Sequence, residues 1–224
     1  MSIQYRSEHD SVGERSVPKD VYYGVQSLRA AENFPITGLA VHPEQINSIA
    51  EIKKASAITN LEIGLLDKRV ADAIVRACDE IAAGRLHEAF IVDPIQGGAG
   101  TSLNMNANEV IANRAIELLG GEKGDYALVN PNDHVNYGQS TNDVFPSAGK
   151  LAVLKLLVRA QIQLERLSEA LEAKAEEFDD VLKMGRTPMP DAVPIRPGPE
   201  FRAYRPAVRR AIAPFDPAQA ATPP

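Results

Sequence analysis

Two segments of the chain carry more hydroxyl and amide side chains than their turns require. The first is the glycine-rich run from Gln96 to Asn106, in which three glycines precede Thr101 and Ser102. Glycines allow a ligand to approach the backbone closely, and the free N–H groups at a helix start attract anions. The run lacks the lysine of a phosphate loop and the third glycine of a dinucleotide fingerprint. It predicts either an anion-binding turn or a structural helix cap, and the spacing alone favours the cap.

The second segment runs from Asn130 to Asp143 and leads into a long helical pattern. One capping residue suffices to start a helix, yet four residues of the capping type stand in a row there: Ser140, Thr141, Asn142 and Asp143. Neutral donors at the positive end of a long helix hold a carboxylate, and hold a developing dianion more tightly. The surplus of donors therefore predicts a site for an anionic ligand.

His134 and Cys78 are the other candidates for chemistry. The sequence leaves three roles open for His134: a general acid or base, a second anion contact, or a loop histidine with its hydrogen bonds satisfied. The last is the commonest case. Cys78 shares a helix face with apolar residues and has no histidine near it in sequence, so we predict a core residue rather than a catalytic thiol. The spacing of His, Cys and carboxylate residues predicts no metal site, and no cofactor is predicted.

Composition excludes several classes of partner. The net charge of −6 comes from 30 acidic and 24 basic residues without a basic run, which excludes nucleic acid as an expected partner. The chain has no run of about 18 apolar residues, so no membrane span is predicted. Its polar opening segment lacks the apolar core of a signal peptide, which predicts a cytoplasmic protein.

Apolar periodicity predicts a mainly all-α fold with sparse strand signals. Helices are expected over Pro43–Leu61, Asp67–Ala83 and Asn106–Leu119, and a long helix from Asn142 to about Asp180. At 1.5 Å per residue the long helix would extend about 57 Å, more than a compact domain of this size can cover. Its apolar residues repeat every seven positions, as in a seam between helices; these are Leu157, Leu164, Leu171 and Phe178. We therefore expect this helix to associate with other chains.

Ten of the 16 prolines lie in the last 37 residues. Each proline removes a backbone donor and disfavours helix in the preceding residue. We therefore expect residues 188–224 to form an irregular tail, after an N-terminal domain over 1–141 and the beginning of a helical-bundle domain over 142–187.

Several separated motifs between Glu8 and Arg205 resemble the conserved regions of the aspartase/fumarase superfamily. The motifs are Tyr22–Gln26, Gln96–Asn106, Asn130–Asn136, Gln139–Asp143 and Lys183–Thr187. The spellings Tyr-Tyr-Gly-Val-Gln, Gly-Gly-Ala-Gly-Thr-Ser and Ser-Thr-Asn are those of the aspartase branch rather than of class II fumarases. The resemblance implies a helical N-terminal domain followed by the first long helix of a central bundle, in which subunits pair into a homotetramer.

The resemblance also implies an activity, the reversible elimination of ammonia from L-aspartate to give fumarate. By position in the motifs, Thr101, Ser140 and Thr141 are expected to bind the β-carboxylate of the substrate, and Asn142 to orient it. Thr187 is expected to contact the substrate from another subunit. His134 resembles part of a neighbouring anion site rather than the base.

The chain departs from the family pattern in two respects. The family base is a serine in a Gly-Ser-Ser-x-Met-Pro-x-Lys loop, which the sequence does not contain, so no catalytic residue is assigned and no turnover is expected from this chain alone. Pro188 stands where the family has a side-chain donor. The alternatives are an inactive or modulatory assembly partner of a full-length lyase, a class II fumarase-like lyase, and a module that binds C4 dicarboxylates without catalysis.

Overall fold

The computed structural model describes residues 3–95 and 97–215, and they form a mainly α-helical protein, as the sequence predicts. The helices are α1 (Val25–Asn33), α2 (Pro43–Glu62), α3 (Lys68–Ala82), α4 (Thr101–Leu118), α5 (Thr141–Glu177) and α6 (Pro197–Ile212). The strands are β1 (Tyr5–Asp10), β2 (Gly13–Pro18), β3 (Lys183–Arg186) and β4 (Asp191–Ile195). Each consecutive pair of strands forms a two-stranded antiparallel sheet, and the sparse strand signals predicted neither pair.

The chain divides into two compact units, Met1–Ala152 and Val153–Pro224. The division falls inside α5, whereas the sequence places its first boundary at 141/142. The domain boundaries predicted from the sequence stay predictions.

Helices α2, α3 and α4 form the core of the first unit. α2 begins at Pro43, where His42 Nδ1 accepts from the Glu44 backbone N–H at 3.1 Å. α3 begins after Asp67, whose carboxylate accepts from the Arg69 N–H at 2.8 Å. Both helices lie where apolar periodicity predicts them. The predicted face of α3 is confirmed, because Ile74, Cys78 and Ile81 are buried and Val70 packs against them.

α4 begins at Thr101, five residues before its predicted start, and is buried on nearly every side. It carries four buried asparagines and one buried glutamate: Asn104, Asn106, Asn108, Asn113 and Glu109. Asn106 shows the role of such residues, because its amide accepts from Ile91 N–H and donates to the Ala89 carbonyl, each at 2.9 Å. Buried polar groups need partners of this kind, so α4 fixes the segments that pack around it.

Glu109 of α4 fixes the beginning of α1. Its carboxylate accepts backbone N–H groups from Gly24 and Gln26 at 2.9 Å and from Ser27 at 3.0 Å. The first N–H groups of a helix lack partners within the helix, and a carboxylate satisfies them and the helix dipole together. Burial raises the pKa of Glu109 despite these bonds. The Tyr22–Gln26 motif is therefore the α1 start that this buried carboxylate binds.

In the second unit, the tail predicted to be irregular over 188–224 contains two regular elements, so that prediction is wrong for Asp191–Ile195 and Pro197–Ile212. Pro194 lies on a two-stranded sheet and Pro197 occupies the first turn of α6, where no helical N–H is required. Pro206 lies inside α6 and removes a single helical bond. Residues 216–224 lie outside the described part of the chain.

α5 spans Thr141–Glu177, which confirms the long helix that the sequence predicts. In the second unit the seam residues Leu157, Leu164 and Leu171 are half-buried. Other large apolar side chains on this part of α5 are exposed by about half, namely Val153 (55%), Val158 (52%), Ile162 (50%) and Leu167 (47%). Several exposed apolar side chains on one helix mark a surface for association. Within residues 3–95 and 97–215, no helix combines the length and apolarity needed to cross a membrane.

The capped α1 start gives a test of stability. A Cβ at Gly24 would lie 2.5 Å from Tyr126 Oη, 2.7 Å from Glu8 Oε2 and 2.8 Å from Glu109 Cδ. Gly24→Ala should therefore lower the free energy of unfolding by about 1–3 kcal/mol, the usual cost of overpacking. The measurement is urea denaturation followed by circular dichroism.

Gly149→Ala is the matched control, because the nearest atom to its added Cβ, Gln45 Oε1, lies at an ordinary 3.7 Å within α5. It should be neutral or stabilise by up to about 1 kcal/mol, since alanine favours helix over glycine. Equal losses from both substitutions would contradict the packing that we describe at Gly24.

Candidate active site

The glycine-rich turn before α4 has an unusual backbone. Gly98, Ala99 and Gly100 all have positive φ, at 60°, 55° and 96°. For Ala99 this left-handed conformation costs about 1–2 kcal/mol. At Gly100 a Cβ would collide with the ring of Phe145 on α5. Glycine at this position thus lets the turn pack directly on the first turns of α5. Gln96, the first residue of the sequence motif, lies outside the described residues.

Asp93 fixes the segment that leads into this turn. Its carboxylate accepts from the backbone N–H groups of Thr37 at 2.6 Å, Gly38 at 2.9 Å and Ile95 at 2.8 Å. Burial alone would raise the pKa of Asp93, but these bonds and the Thr37 hydroxyl outweigh burial and lower the pKa to about 2. The ionised Asp93 therefore ties the turn to the loop that follows α1.

The starts of α4 and α5 lie side by side, and a hydrogen bond from Asn104 Nδ2 to Thr141 Oγ1 at 3.1 Å joins them. Ser140 caps α5, since its Oγ accepts from the Asn142 N–H at 3.2 Å. Thr101 Oγ1 donates to the Gly98 carbonyl at 2.7 Å, so its hydrogen is engaged within the turn. The structure thus brings together the two segments that the sequence singled out, at the positive ends of two helices.

These donors are accessible from outside. Thr101, Ser140 and Asn142 are exposed, and Thr141 is half-buried. A cleft of about 510 Å³ opens beside Asn142, and its lining is otherwise mostly apolar: Pro94, Ile95, Ala99, Gly100, Phe145 and Pro146. The arrangement can hold an anion at the hydroxyl groups and a small carbon chain in the cleft. The roles of the individual donors stay predictions.

His134 lies in the helical turn Pro131–Val135. Its Nδ1 accepts from the Asn130 backbone N–H at 2.9 Å, while Asn130 Oδ1 accepts from the N–H groups of Asn132 at 2.8 Å and Asp133 at 3.0 Å. Because Nδ1 is an acceptor, the neutral ring carries its hydrogen on Nε2. The histidine thus stabilises its own turn through Nδ1. The predicted second anion contact would use Nε2–H and stays a prediction.

Thr187 follows β3 in the second unit and is exposed. Its Oγ1 donates to the Pro190 carbonyl at 3.3 Å, within the turn that contains Pro188. The predicted contact of Thr187 with substrate bound to another subunit stays a prediction. In the part of the chain that the structure describes, no group of three or more His, Cys, Asp or Glu side chains could hold a metal ion.

Lys53 is the residue that sequence reasoning missed. It lies on α2 and is 0% exposed, and its Nζ donates to Asn136 Oδ1 at 2.7 Å. The same Oδ1 accepts from Asn104 Nδ2 at 3.2 Å, which connects Lys53 to the start of α5. The sequence did contain a signal, because Lys53 occupies the apolar face of α2 that includes Ile46, Ile49 and Ala57.

Burial lowers the pKa of Lys53 to about 7, and the Cys78 thiol on α3 offsets little of this effect. Burial raises the pKa of Cys78 itself to about 12, so the thiol stays protonated. The partner of Lys53 is a neutral amide rather than a carboxylate. A buried ammonium without a counter-charge is poised to respond to an anion bound nearby.

Comparison with known proteins identifies a family. A family model described as "Lyase" matches residues 13–221. An aspartate ammonia-lyase from Bacillus sp is 55% identical over 212 residues, covering 95% of this chain and 45% of that protein. A class II fumarate hydratase from Halobacterium salinarum is 53% identical, with 95% and 45% covered. The chain therefore spans about half the length of these curated relatives.

The fold has a solved counterpart. The crystal structure titled fumarate lyase:delta crystallin, from Brucella melitensis in native form, matches with a TM-score of 0.91 and 49% identity. The match covers 97% of this chain and 51% of that one.

The lowered pKa of Lys53 gives a test by pH. The unfolded lysine titrates near 10.5 and the folded one near 7, so the unfolded chain binds more protons between these values. The free energy of unfolding should therefore rise with pH from about 7 to about 9, by at most about 1.4 kcal/mol per pH unit. Above about 9 the Cys78 thiol, whose pKa burial raises from 9.0 to about 12, stays protonated in the folded chain and offsets the rise. Urea denaturation across pH 6.5–10, a range chosen to bracket the rise, measures it.

In Lys53→Met this rise should disappear. Lys54→Met is the control, because Lys54 is the next residue on α2 but pairs at the surface with Asp79 at 2.6 Å. The control should keep the rise. Parallel pH profiles in wild type and Lys53→Met would contradict the burial of an ionisable Lys53.

Proposed function

Because the chain belongs to the lyase family, we propose that it is the N-terminal portion of an aspartate ammonia-lyase, which eliminates ammonia reversibly from L-aspartate to give fumarate. One observation carries the proposal: the starts of α4 and α5 meet at the Asn104–Thr141 hydrogen bond, with exposed hydroxyl and amide donors around it. Donors at two positive helix ends suit a dicarboxylate ligand.

The chemistry explains why such donors are needed. A base removes a proton from the carbon beside the β-carboxylate, negative charge develops on that carboxylate, and the C–N bond then breaks as ammonia leaves. Preorganised donors stabilise the developing dianion more than the ground state, which lowers the barrier. Thr101, Ser140 and Thr141 would bind the β-carboxylate, and Asn142 would orient the substrate. The described residues bind and orient; the base belongs to the part of the relatives that this chain does not span.

Each donor reaches the ligand differently. Thr141 already accepts a hydrogen bond and can donate its own hydrogen outward. Ser140 accepts from the Asn142 N–H and is likewise able to donate. Thr101 donates to the Gly98 carbonyl, so it must rotate about χ1 or bind through its backbone N–H. Thr141 and Ser140 are therefore the preorganised donors.

A homotetramer completes the proposal. The half-exposed apolar side chains of α5 beyond Ala152 support association with copies of the chain. Active sites shared between subunits would give Thr187 its role, since it would contact substrate bound to another copy.

A class II fumarase is the second candidate, because the Halobacterium salinarum fumarate hydratase is 53% identical to this chain, but the identity of 55% to the Bacillus sp aspartate ammonia-lyase does not favour it. That reaction adds water to fumarate rather than ammonia, and the same carboxylate donors would serve it. The sequence Ser140-Thr141-Asn142 supports an aspartate ammonia-lyase rather than a fumarase, because class II fumarases usually have a second serine in place of the threonine.

An assay of turnover separates the candidates. The chain joined to the remaining portion of the Bacillus sp relative should form fumarate from L-aspartate, followed by absorbance near the fumarate band, and not from L-malate. The 224-residue chain alone should show no turnover. Fumarate from L-malate would favour the fumarase reading, and turnover by the chain alone would show that a base lies within it.

Binding tests the donors directly. Thr141→Val keeps the side-chain shape and removes the hydroxyl, so fumarate affinity should fall about tenfold or more, as expected for a lost bond to a charged group. Thr59→Val, at an exposed threonine on α2, is the control and should change nothing. Isothermal titration with fumarate measures both. Equal affinities for wild type and Thr141→Val would contradict the assignment of Thr141.

A further inference from the structure

The Thr141 hydroxyl can point its hydrogen inward or outward, and only one direction serves an anionic ligand. Its Oγ1 lies 3.1 Å from Asn104 Nδ2, which is a donor. A hydroxyl that accepts on the inner side keeps its hydrogen for an acceptor on the outer side. The orientation of the Asn104 amide therefore decides whether Thr141 can bind a carboxylate.

The orientation of the Asn104 amide is set by Asn136. Asn104 is 1% exposed, and its Nδ2 also donates to Asn136 Oδ1 at 3.2 Å. Its own Oδ1 is buried without a hydrogen-bond partner among the described residues. If the amide turned over, Oδ1 would face Asn136 Oδ1, and two acceptors would oppose each other.

Asn136 is held in turn by two groups whose roles cannot reverse. Lys53 Nζ, an obligate donor when charged, bonds Asn136 Oδ1 at 2.7 Å. Asn136 Nδ2 donates to the Gln139 carbonyl, an obligate acceptor, at 3.0 Å. The direction of every bond from Lys53 to Thr141 is therefore determined at its beginning by the lysine ammonium together with the Gln139 carbonyl.

We propose that Lys53 is a positioning residue of the anion site, because it acts through Asn136 and Asn104 to hold the Thr141 hydroxyl with its hydrogen toward the ligand. The proposal rests on the function proposed above, in that Thr141 is taken to bind the carboxylate. The residues that link Lys53 to Thr141, Asn136 and Asn104, are neutral, so the protonated lysine also places a positive charge behind the donors.

Protonation of Lys53 and anion binding should then favour each other. The titratable group that faces Lys53 is the Cys78 thiol on α3, and its pKa near 12 keeps it neutral. With the pKa of Lys53 near 7, fumarate affinity should fall as pH rises from about 6 to about 9.

The first experiment needs no ligand. In wild-type chain labelled with ¹³C and ¹⁵N, the side-chain amide signals of Asn104 and Asn136 should titrate with the same midpoint as the Lys53 Cε signal. Thr141→Val should shift the Asn104 amide signals, because it removes their acceptor. Amide signals that stay constant while Lys53 titrates would overturn the proposal. Because this experiment uses the wild-type chain, it decides even where Lys53 variants fail to fold.

The second experiment uses fumarate. Lys53→Met and Thr141→Val should each weaken binding about tenfold, the loss expected of a bond to a charged group, and the double variant should be no weaker than either. The fall of affinity with pH should vanish in Lys53→Met, whereas Lys54→Met should behave as wild type. Independent, multiplicative losses, or affinity within twofold of wild type in Lys53→Met, would overturn the proposal.

Failure of the two proposals can be distinguished. If the wild-type chain binds no fumarate, the proposed function fails for this chain, and the amide titration alone decides whether Lys53 positions Thr141. If the chain binds fumarate and Thr141→Val weakens binding while Lys53→Met does not, the function stands and the role of Lys53 is overturned.

Discussion

The burial of α4 is the constraint on which the rest of the first unit depends. A helix surrounded by protein must satisfy most of its polar side-chain groups, because an unpaired buried polar group costs about 1–3 kcal/mol; among the described residues, Asn104 Oδ1 and Asn108 Oδ1 are the exceptions on α4. Glu109 binds the start of α1, Asn106 binds the segment at Ala89–Ile91, and Asn113 donates to the Tyr22 carbonyl at 2.9 Å. Asn104 binds Asn136 and Thr141. One helix thus binds segments that are distant in sequence, since Tyr22 and Asn113 differ by 91 positions.

The candidate site is a consequence of that alignment. Two helix starts meet because Gly100 admits the Phe145 ring and Asn104 bonds Thr141. The positive ends of both helices lie there, and the protonated Lys53 would add a positive charge whose hydrogen-bond partner is a neutral amide. Each contribution is modest alone. Together they support the proposed anion site, because differential stabilisation of a dianion requires donors that are in place before the ligand binds.

The two units differ in how completely they bury their apolar side chains. The first buries a continuous core around α4, whereas α5 beyond Ala152 leaves four large apolar side chains about half exposed. The chain spans about half the length of its relatives. We expect the exposed apolar side chains of α5 to pack against further protein. The division of labour that we propose follows: this portion binds and orients the substrate, and the remaining portion supplies the base.

Local pattern by itself determined α2, α3 and α5, because each has a regular apolar repeat, and α5 also has the row of capping-type residues at its start. It also identified Thr101 and Ser140–Asn142, since surplus hydroxyl groups at helix starts are visible without contacts. Only the tertiary structure decided that α4 begins at Thr101 and that the prolines at 194, 197 and 206 fit regular elements. Likewise, the bond from Lys53 to Asn136 joins residues 83 positions apart. Burial and pairing across such separations depend on which segments pack together, and periodicity within one segment carries no record of that.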